Sequence, residues 1–212
     1  MQLITQYLTH NPCYTDKKSI VVKGLMLHSV GCSQSDPEVF VKNWNKSTYT
    51  RACVHGFIGD TKTYIALPCL EKTSTSNPGV AHRGWHCGKG VNGSANNTHI
   101  GFEMCEPSCI KYIGGASFIC TNNQKAVEFV EKTTRNAVEV FAKLCEYHHL
   151  NPLKDGVIIS HAEGAKRGIA SNHGDPDHLW KGLNMNWTMD KFRQEVYKKM
   201  HEKSIIKEGT KI

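Results

Sequence analysis

Two short apolar runs in this chain each end in a histidine. Leu25-Met26-Leu27 runs into His28, and Val157-Ile158-Ile159-Ser160 runs into His161. An imidazole placed just past a buried strand is held rigidly at the rim of a sheet, and neither strand end needs a histidine for packing. Two such rings from adjacent strands could converge on a metal. The second opens a segment, His161 to Trp180, with three histidines and three acids in twenty positions. A catalytic zinc takes three protein ligands and keeps a fourth position open. His28, His161 and one more residue would satisfy that. The residues alone leave the third place open among Glu163, His173, Asp175, Asp177 and His178. Such a centre makes hydroxide available at neutral pH, which is the chemistry of hydrolysis, but these residues do not name the bond. The spacing is not the HExxH of helical metalloproteases. The cysteines form no CxxC pair, which argues against a zinc finger.

A second candidate is Glu103. His99 to Met104 reads as a strand with Ile100, Phe102 and Met104 on one face, so Gly101 and Glu103 face the other way. An acid inside an apolar strand costs free energy unless it is paired or functional. A general acid–base or water-orienting role fits, and the competing reading is an acid at a solvated sheet edge. His55 sits within another expected strand and reads as buried and hydrogen-bonded. His82, Trp85 and His86 fall in a loop-rich stretch, where an aromatic packs the loop or walls a groove.

These side chains need elements to hold them. Val21 to Leu27 reads as a strand ending in His28-Ser29. Asp36 followed by Pro37 is a cap and first-turn signal for a helix to about Lys46, with Phe40 and Trp44 on one face. Ala52–Ile58 and Thr63–Leu67, separated by Gly59-Asp60-Thr61-Lys62, read as a hairpin. Thr73 to Asn97 has no clear period and reads as long loops, of the kind that carry function. From about Asn123 to His148, Val127, Val130, Thr134, Val138, Phe141 and Cys145 recur at helical steps. Val157–Ser160 is a short strand. A last helix follows, capped by Thr188, with Phe192, Val196 and Met200 on one face. The expected fold is α/β: a central mixed β-sheet flanked by helices.

The whole chain is consistent with that. Its 212 residues suffice for one well-buried core, so residues 1–201 read as one domain and 202–212 as a solvated tail or the start of a linker. The formal net charge of +7 favours anionic partners without choosing among them. There is no compact basic stripe that would favour nucleic acid. Nine cysteines cannot all pair with one another and read as free thiols of a reducing compartment. Met1-Gln2-Leu3-Ile4-Thr5 lacks the basic start and apolar stretch of a signal peptide, and no run approaches the roughly 18 apolar residues of a spanning helix. The expectation is a soluble protein made in the cytoplasm, without membrane insertion.

Four pieces, in order, carry a resemblance: Leu27-His28-Ser29, Val54-His55-Gly56-Phe57-Ile58-Gly59-Asp60, Ala81-His82-Arg83-Gly84-Trp85-His86-Cys87-Gly88 and Gly101-Phe102-Glu103-Met104. With Gly168-Ile169-Ala170-Ser171-Asn172-His173-Gly174-Asp175, they make the chain resemble the zinc amidases of the N-acetylmuramoyl-L-alanine amidase and peptidoglycan recognition protein family. It is most similar to catalytic domains of endolysins from phages or prophages of clostridia. The resemblance implies the fold of that family and a Zn2+ held by His28, His161 and Asp175, with His178 as the reserve third ligand. It implies Glu103 as the acid–base and His173, where many members place a lysine, as the oxyanion donor. His55, His82, Trp85, His86 and Asn97 would contact substrate along a groove lined by the Thr73–Asn97 loop. The free ring nitrogens of His28 and His161 should each meet a carbonyl, carboxylate or water. The implied substrate is bacterial peptidoglycan, cut by a monomeric catalytic domain made in the cytoplasm of a host bacterium. A holin would release it, and a wall-binding module would be absent or removed.

Overall fold

The computed structural model describes residues 1–70 and 77–208. The first half of the chain forms β1 (Gln2–Thr5), α1 (Pro12–Thr15), β2 (Ser19–Val21), β3 (Gly24–Ser29), α2 (Pro37–Trp44), β4 (Gly56–Ile58), β5 (Lys62–Ile65), β6 (Val80–His82) and β7 (His99–Met104). The second half adds β8 (Ile110–Gly114), β9 (Ser117–Cys120), α3 (Asn123–His148), β10 (Ile158–Ser160), α4 (His161–Lys166), α5 (Asp177–Gly182) and α6 (Met189–Glu208).

Six strands form a mixed sheet in the order β1-β5-β4-β7-β3-β10. β4, β7, β3 and β10 are mutually parallel, while β5 runs antiparallel to β4. The parallel strands bring their carboxyl ends to one edge, where open α/β sheets bind ligands. The register sets the chemistry there. His28 lies opposite Glu103, and Ser160 lies opposite Leu27, so the next residue, His161, falls beside His28.

Packing fixes this register. All six residues of β3 are buried, as expected for a strand covered on both faces. On one side Leu25 and Leu27 join Ile100, Phe102, Val130, Phe141 and Phe192 in the main core. On the other side Met26 packs with Ile159 and Ala170. α3 covers the first face. Its start is capped by Asn122, whose side chain accepts from Lys125 N, and it ends where His149 turns left-handed. Phe192 of α6 meets Phe141 edge-on at 5.3 Å. α2 begins as its cap signal requires, with the Asp36 carboxylate accepting from Glu38 N, and Phe40 stacks on Phe57 at 5.1 Å.

Several expected elements differ in extent. The Val21–Leu27 run is two strands, because Val22 N and Lys23 N donate to Gly79 O and Thr98 O and the chain changes sheets between them. His28 is therefore inside β3, one residue from its end. Of Ala52–His55, only Cys53 makes a bridge, to Trp85, and β4 starts at Gly56. The long loop holds β6 and a 3-10 turn at Ala95–Asn97, while Thr73–Ser76 lie outside the described residues. α6 runs on to Glu208, past His201 where the apolar pattern fades. The small hairpin β8–β9, β1, α1, α4 and α5 have no counterpart in the sequence reading. All nine cysteines are free.

Candidate metal centre

Three side chains meet at the carboxyl edge of the sheet. His28 Nδ1 lies 3.1 Å from His161 Nδ1 and 3.2 Å from Asp175 Oδ2, and His161 Nδ1 is 3.4 Å from Asp175 Oδ1. A tetrahedral zinc with ligand bonds of about 2.0–2.1 Å has ligand–ligand edges of roughly 3.3–3.4 Å, so this donor set fits a divalent ion. Among the described residues, His28, His161 and Asp175 form the one cluster of potential ligands this tight, with all donor atoms within 4.8 Å.

Each ligand comes from a different device. His28 is placed by β3. His161 is the first residue of α4, behind a reciprocal cap in which Ser160 Oγ accepts from Glu163 N and Glu163 Oε2 accepts from Ser160 N. Arg193 then grips Glu163 with both guanidinium nitrogens, at 2.9 and 3.1 Å. Glu163 is thereby committed to structure and drops out as a ligand. Asp175 stands in the loop before α5, and its Oδ2 also accepts from Ser29 N at 3.3 Å. Burial opposes the Asp175 charge, but hydrogen bonds and proximity to His161 and His28 outweigh it and hold the carboxyl well below the usual carboxylate range. Burial in turn pushes the His28 ring below its usual value, against the pull of Asp175. A neutral imidazole beside an ionised carboxylate is the protonation state a metal needs.

The far ring nitrogens of the two histidines are also engaged. His28 Nε2 meets His86 Nδ1 at 2.9 Å, and His86 Nε2 meets the His99 carbonyl at 3.0 Å. His161 Nε2 meets Ser171 Oγ at 3.3 Å, and that hydroxyl donates to the Cys87 carbonyl at 3.1 Å. The partners are thus a second imidazole and a hydroxyl rather than a carbonyl, carboxylate or water. Each passes its hydrogen bond on to a backbone carbonyl.

Glu103 projects into the same cavity. Burial, then the charges of Asp175 and Glu106, push its carboxyl well above the usual carboxylate range, and its Oε2 is buried with no hydrogen-bond partner. His173 is exposed, lines the cavity and stands edge-on to the His161 ring at 4.5 Å.

A family model described as N-acetylmuramoyl-L-alanine amidase matches residues 17–178. The chain belongs to that family. The amidase is also similar in fold to the Staphylococcus aureus hydrolase AmiA in complex with its ligand, with a TM-score of 0.68 at 15% identity over 96% of this chain and 85% of that one. It is similar to a mutant endolysin from Bacillus subtilis, with a TM-score of 0.60 at 17% identity over 92% and 99% of the two chains. The catalytic domain of PlyG gives a TM-score of 0.61 at 18% identity over 94% and 96%. No curated protein sequence matches significantly.

In this amidase the groove over the metal centre has a volume of about 680 Å³ and is walled by Trp44, Arg51, Trp85 and Tyr112. Trp85 and His173 open onto it. Three residues assigned to the groove by resemblance lie elsewhere. His55 is fully buried, with Nδ1 accepting from Gly101 N at 3.0 Å and Nε2 donating to the His82 carbonyl at 2.8 Å. No ring nitrogen is left for a substrate, and His55 is the buried, hydrogen-bonded residue its own surroundings suggested. His82 is buried against Tyr14. Asn97 turns outward, where its Oδ1 accepts from Arg83 Nε. His86 touches the cavity but lies behind His28, with both nitrogens engaged. The reserve ligand His178 turns instead to the Tyr112 hydroxyl at 2.6 Å.

Two neighbours of the centre have no counterpart in the sequence reading. Tyr112 donates to Glu106 Oε2 at 2.8 Å, and Glu106 Oε1 accepts from Gly31 N at 2.9 Å. Burial raises the Glu106 carboxyl to about 7. Both sit on or beside the β8–β9 hairpin, which apolar residues flanking Gly114-Gly115 could have revealed.

Proposed function

We propose that the chain is a zinc hydrolase that cuts the amide between the lactyl group of N-acetylmuramic acid and L-alanine in bacterial peptidoglycan, lysing the wall. The observation that carries this is the convergence of His28, His161 and Asp175 within 4.8 Å in a member of the amidase family. Zinc, when bound, lowers the pKa of a water towards about 7 and polarises the scissile carbonyl. Glu103, whose burial gives its carboxyl a high proton affinity, accepts the proton of the attacking water and returns it to the leaving alanine nitrogen. His173, at the groove side of His161, donates to the carbonyl oxygen as charge develops, a contribution worth roughly 3 kcal/mol for one well-aimed donor. Trp44 and Trp85 offer apolar walls to sugar or peptide.

The proposal extends to context. The chain acts as a monomer without nucleic acid or membrane insertion; among the described residues no helix is long and apolar enough to cross a membrane. It is made in the cytoplasm of a host bacterium and reaches the wall after holin action.

Purified wall digested with the protein and analysed by mass spectrometry tests the bond. New lactyl carboxyl and alanine amino ends are expected, and cleavage inside the stem peptide would refute the assignment. Glu103→Gln is expected to keep stoichiometric zinc while losing on the order of 10²–10⁴-fold in turnover. Full activity in that variant would remove Glu103 from the chemistry.

A further inference from the structure

We infer that the His86-Cys87 pair is the common anchor of both metal-ligating histidines, and that His86 is a positioning residue that leaves His28 Nδ1 free to bind the ion. The inference rests on the metal reading above and goes beyond it.

The argument follows the protons. A backbone carbonyl only accepts, so the His99 oxygen 3.0 Å from His86 Nε2 requires a proton on that nitrogen. A neutral imidazole carries one N–H, so His86 Nδ1 is bare and can only accept. His28 Nε2, 2.9 Å away, must then be the donor. The His28 lone pair is left on Nδ1, the atom that faces His161 and Asp175. The same logic holds for His161. Ser171 Oγ gives its proton to the Cys87 carbonyl, so it accepts from His161 Nε2 and leaves His161 Nδ1 bare towards the metal. Two ligands separated by 133 residues are thus set in the same tautomer by adjacent residues of one loop.

The surroundings hold that loop still. Asn96 Oδ1 accepts from both His86 N at 2.8 Å and Cys87 N at 3.1 Å. β7 makes room for the His86 ring at Gly101, where a Cβ would come within 2.5 Å of His86 Cγ and Nδ1. His86 is 8% exposed, so water does not replace its hydrogen bonds.

The test compares two substitutions. His86→Phe keeps the ring volume and removes the acceptor. His86→Asn loses volume but keeps an acceptor oxygen near the Nδ1 position. Zinc affinity is measured by competition with a chromogenic chelator, alongside long-range 1H–15N spectra of the zinc-loaded wild type. The expected result is a zinc affinity about 10–100-fold weaker in His86→Phe, substantial recovery in His86→Asn, and a neutral wild-type His86 ring protonated on Nε2. A purely packing role makes the opposite order, with Asn the more damaging. That order, or zinc binding in His86→Phe equal to wild type, or a proton on His86 Nδ1, overturns the inference. The spectra decide it even where a variant does not fold. A wild type that binds no zinc refutes the metal reading itself, which keeps the two failures distinct.

Discussion

At the scale of single residues, the centre gathers carboxyl groups where solvent is scarce. Glu103 and Glu106 both lie close enough to Asp175 to feel its charge, and only Asp175 has imidazoles beside it to hold it ionised. Glu106 is fully buried, and its carboxyl is raised to about 7, chiefly by burial. In the unfolded chain it would titrate near 4.3. The folded state therefore keeps a proton that the unfolded state gives up, and stability falls as pH rises. This contribution is fully present below about pH 4 and is lost as pH climbs to about 7, at roughly 1.4 kcal/mol per pH unit within that window. Glu106→Gln mimics the protonated carboxyl, since its amide can donate to the Tyr112 hydroxyl, which then donates to His178 Nε2, while its oxygen accepts from Gly31 N. In metal-free protein, denaturant titrations from pH 5 to 8 are expected to show the variant gaining on wild type by about 2–3 kcal/mol towards pH 7 and then levelling off. A pH-independent difference between the two would mean that Glu106 is ionised in the fold.

Elements turn these residues into a site, and here the sequence was legible in part. β7, α3 and the start of α2 stand where hydrophobic period and capping chemistry put them, at His99–Met104, Asn123–His148 and Asp36-Pro37. Those signals are local. Pairing is not, and so Val21–Leu27 read as one strand although its halves belong to different sheets. The metal triad was half legible. His28 and His161 end apolar runs, whereas Asp175 was one of five possibilities until family resemblance singled it out, because its place depends on the fold of the loop before α5. His55, His82 and Asn97 lie away from the groove for a common reason: motif order along the chain does not say which side chains point into it. α4 shows how an element controls chemistry. Ser160 caps it and so fixes the backbone angle at which His161 leaves the sheet. Ser160→Ala is expected to cost about 1 kcal/mol of stability and to weaken zinc binding as the first turn frays. Chemical denaturation and chelator competition on the same variant check this. Undiminished zinc affinity despite the lost stability would show that Arg193, through Glu163, holds the turn by itself.

At the scale of the whole molecule, the ion would tie together parts that the core holds unequally. β3 and β10 are buried strands within the main sheet, backed by α3 and α6. The Asp175 loop has less support: Ser171 N donates to Cys87 O and Ala162 N to Asp175 O, while Asn172, His173 and Gly174 are exposed. Without the metal, the Asp175 carboxylate keeps only the His28 and His161 rings beside it and a long contact from Ser29 N at 3.3 Å. Loss of the ion should therefore loosen this loop before it disturbs the sheet. A ligand that binds only the native state stabilises it by about 2.7 kcal/mol at a hundredfold excess over its dissociation constant. For a domain of this size that corresponds to a rise of roughly 5–10 °C in Tm. Zinc at that excess is expected to raise Tm by this amount, a chelator to reverse it, and His161→Ala to abolish it. Hydrogen exchange localises the effect. Amides of residues 171–176 should lose protection on chelation while those of α3 hardly change. Equal loss in α3 would mean that the ion is needed for the whole core, and that the sheet edge is not preformed for the metal it receives.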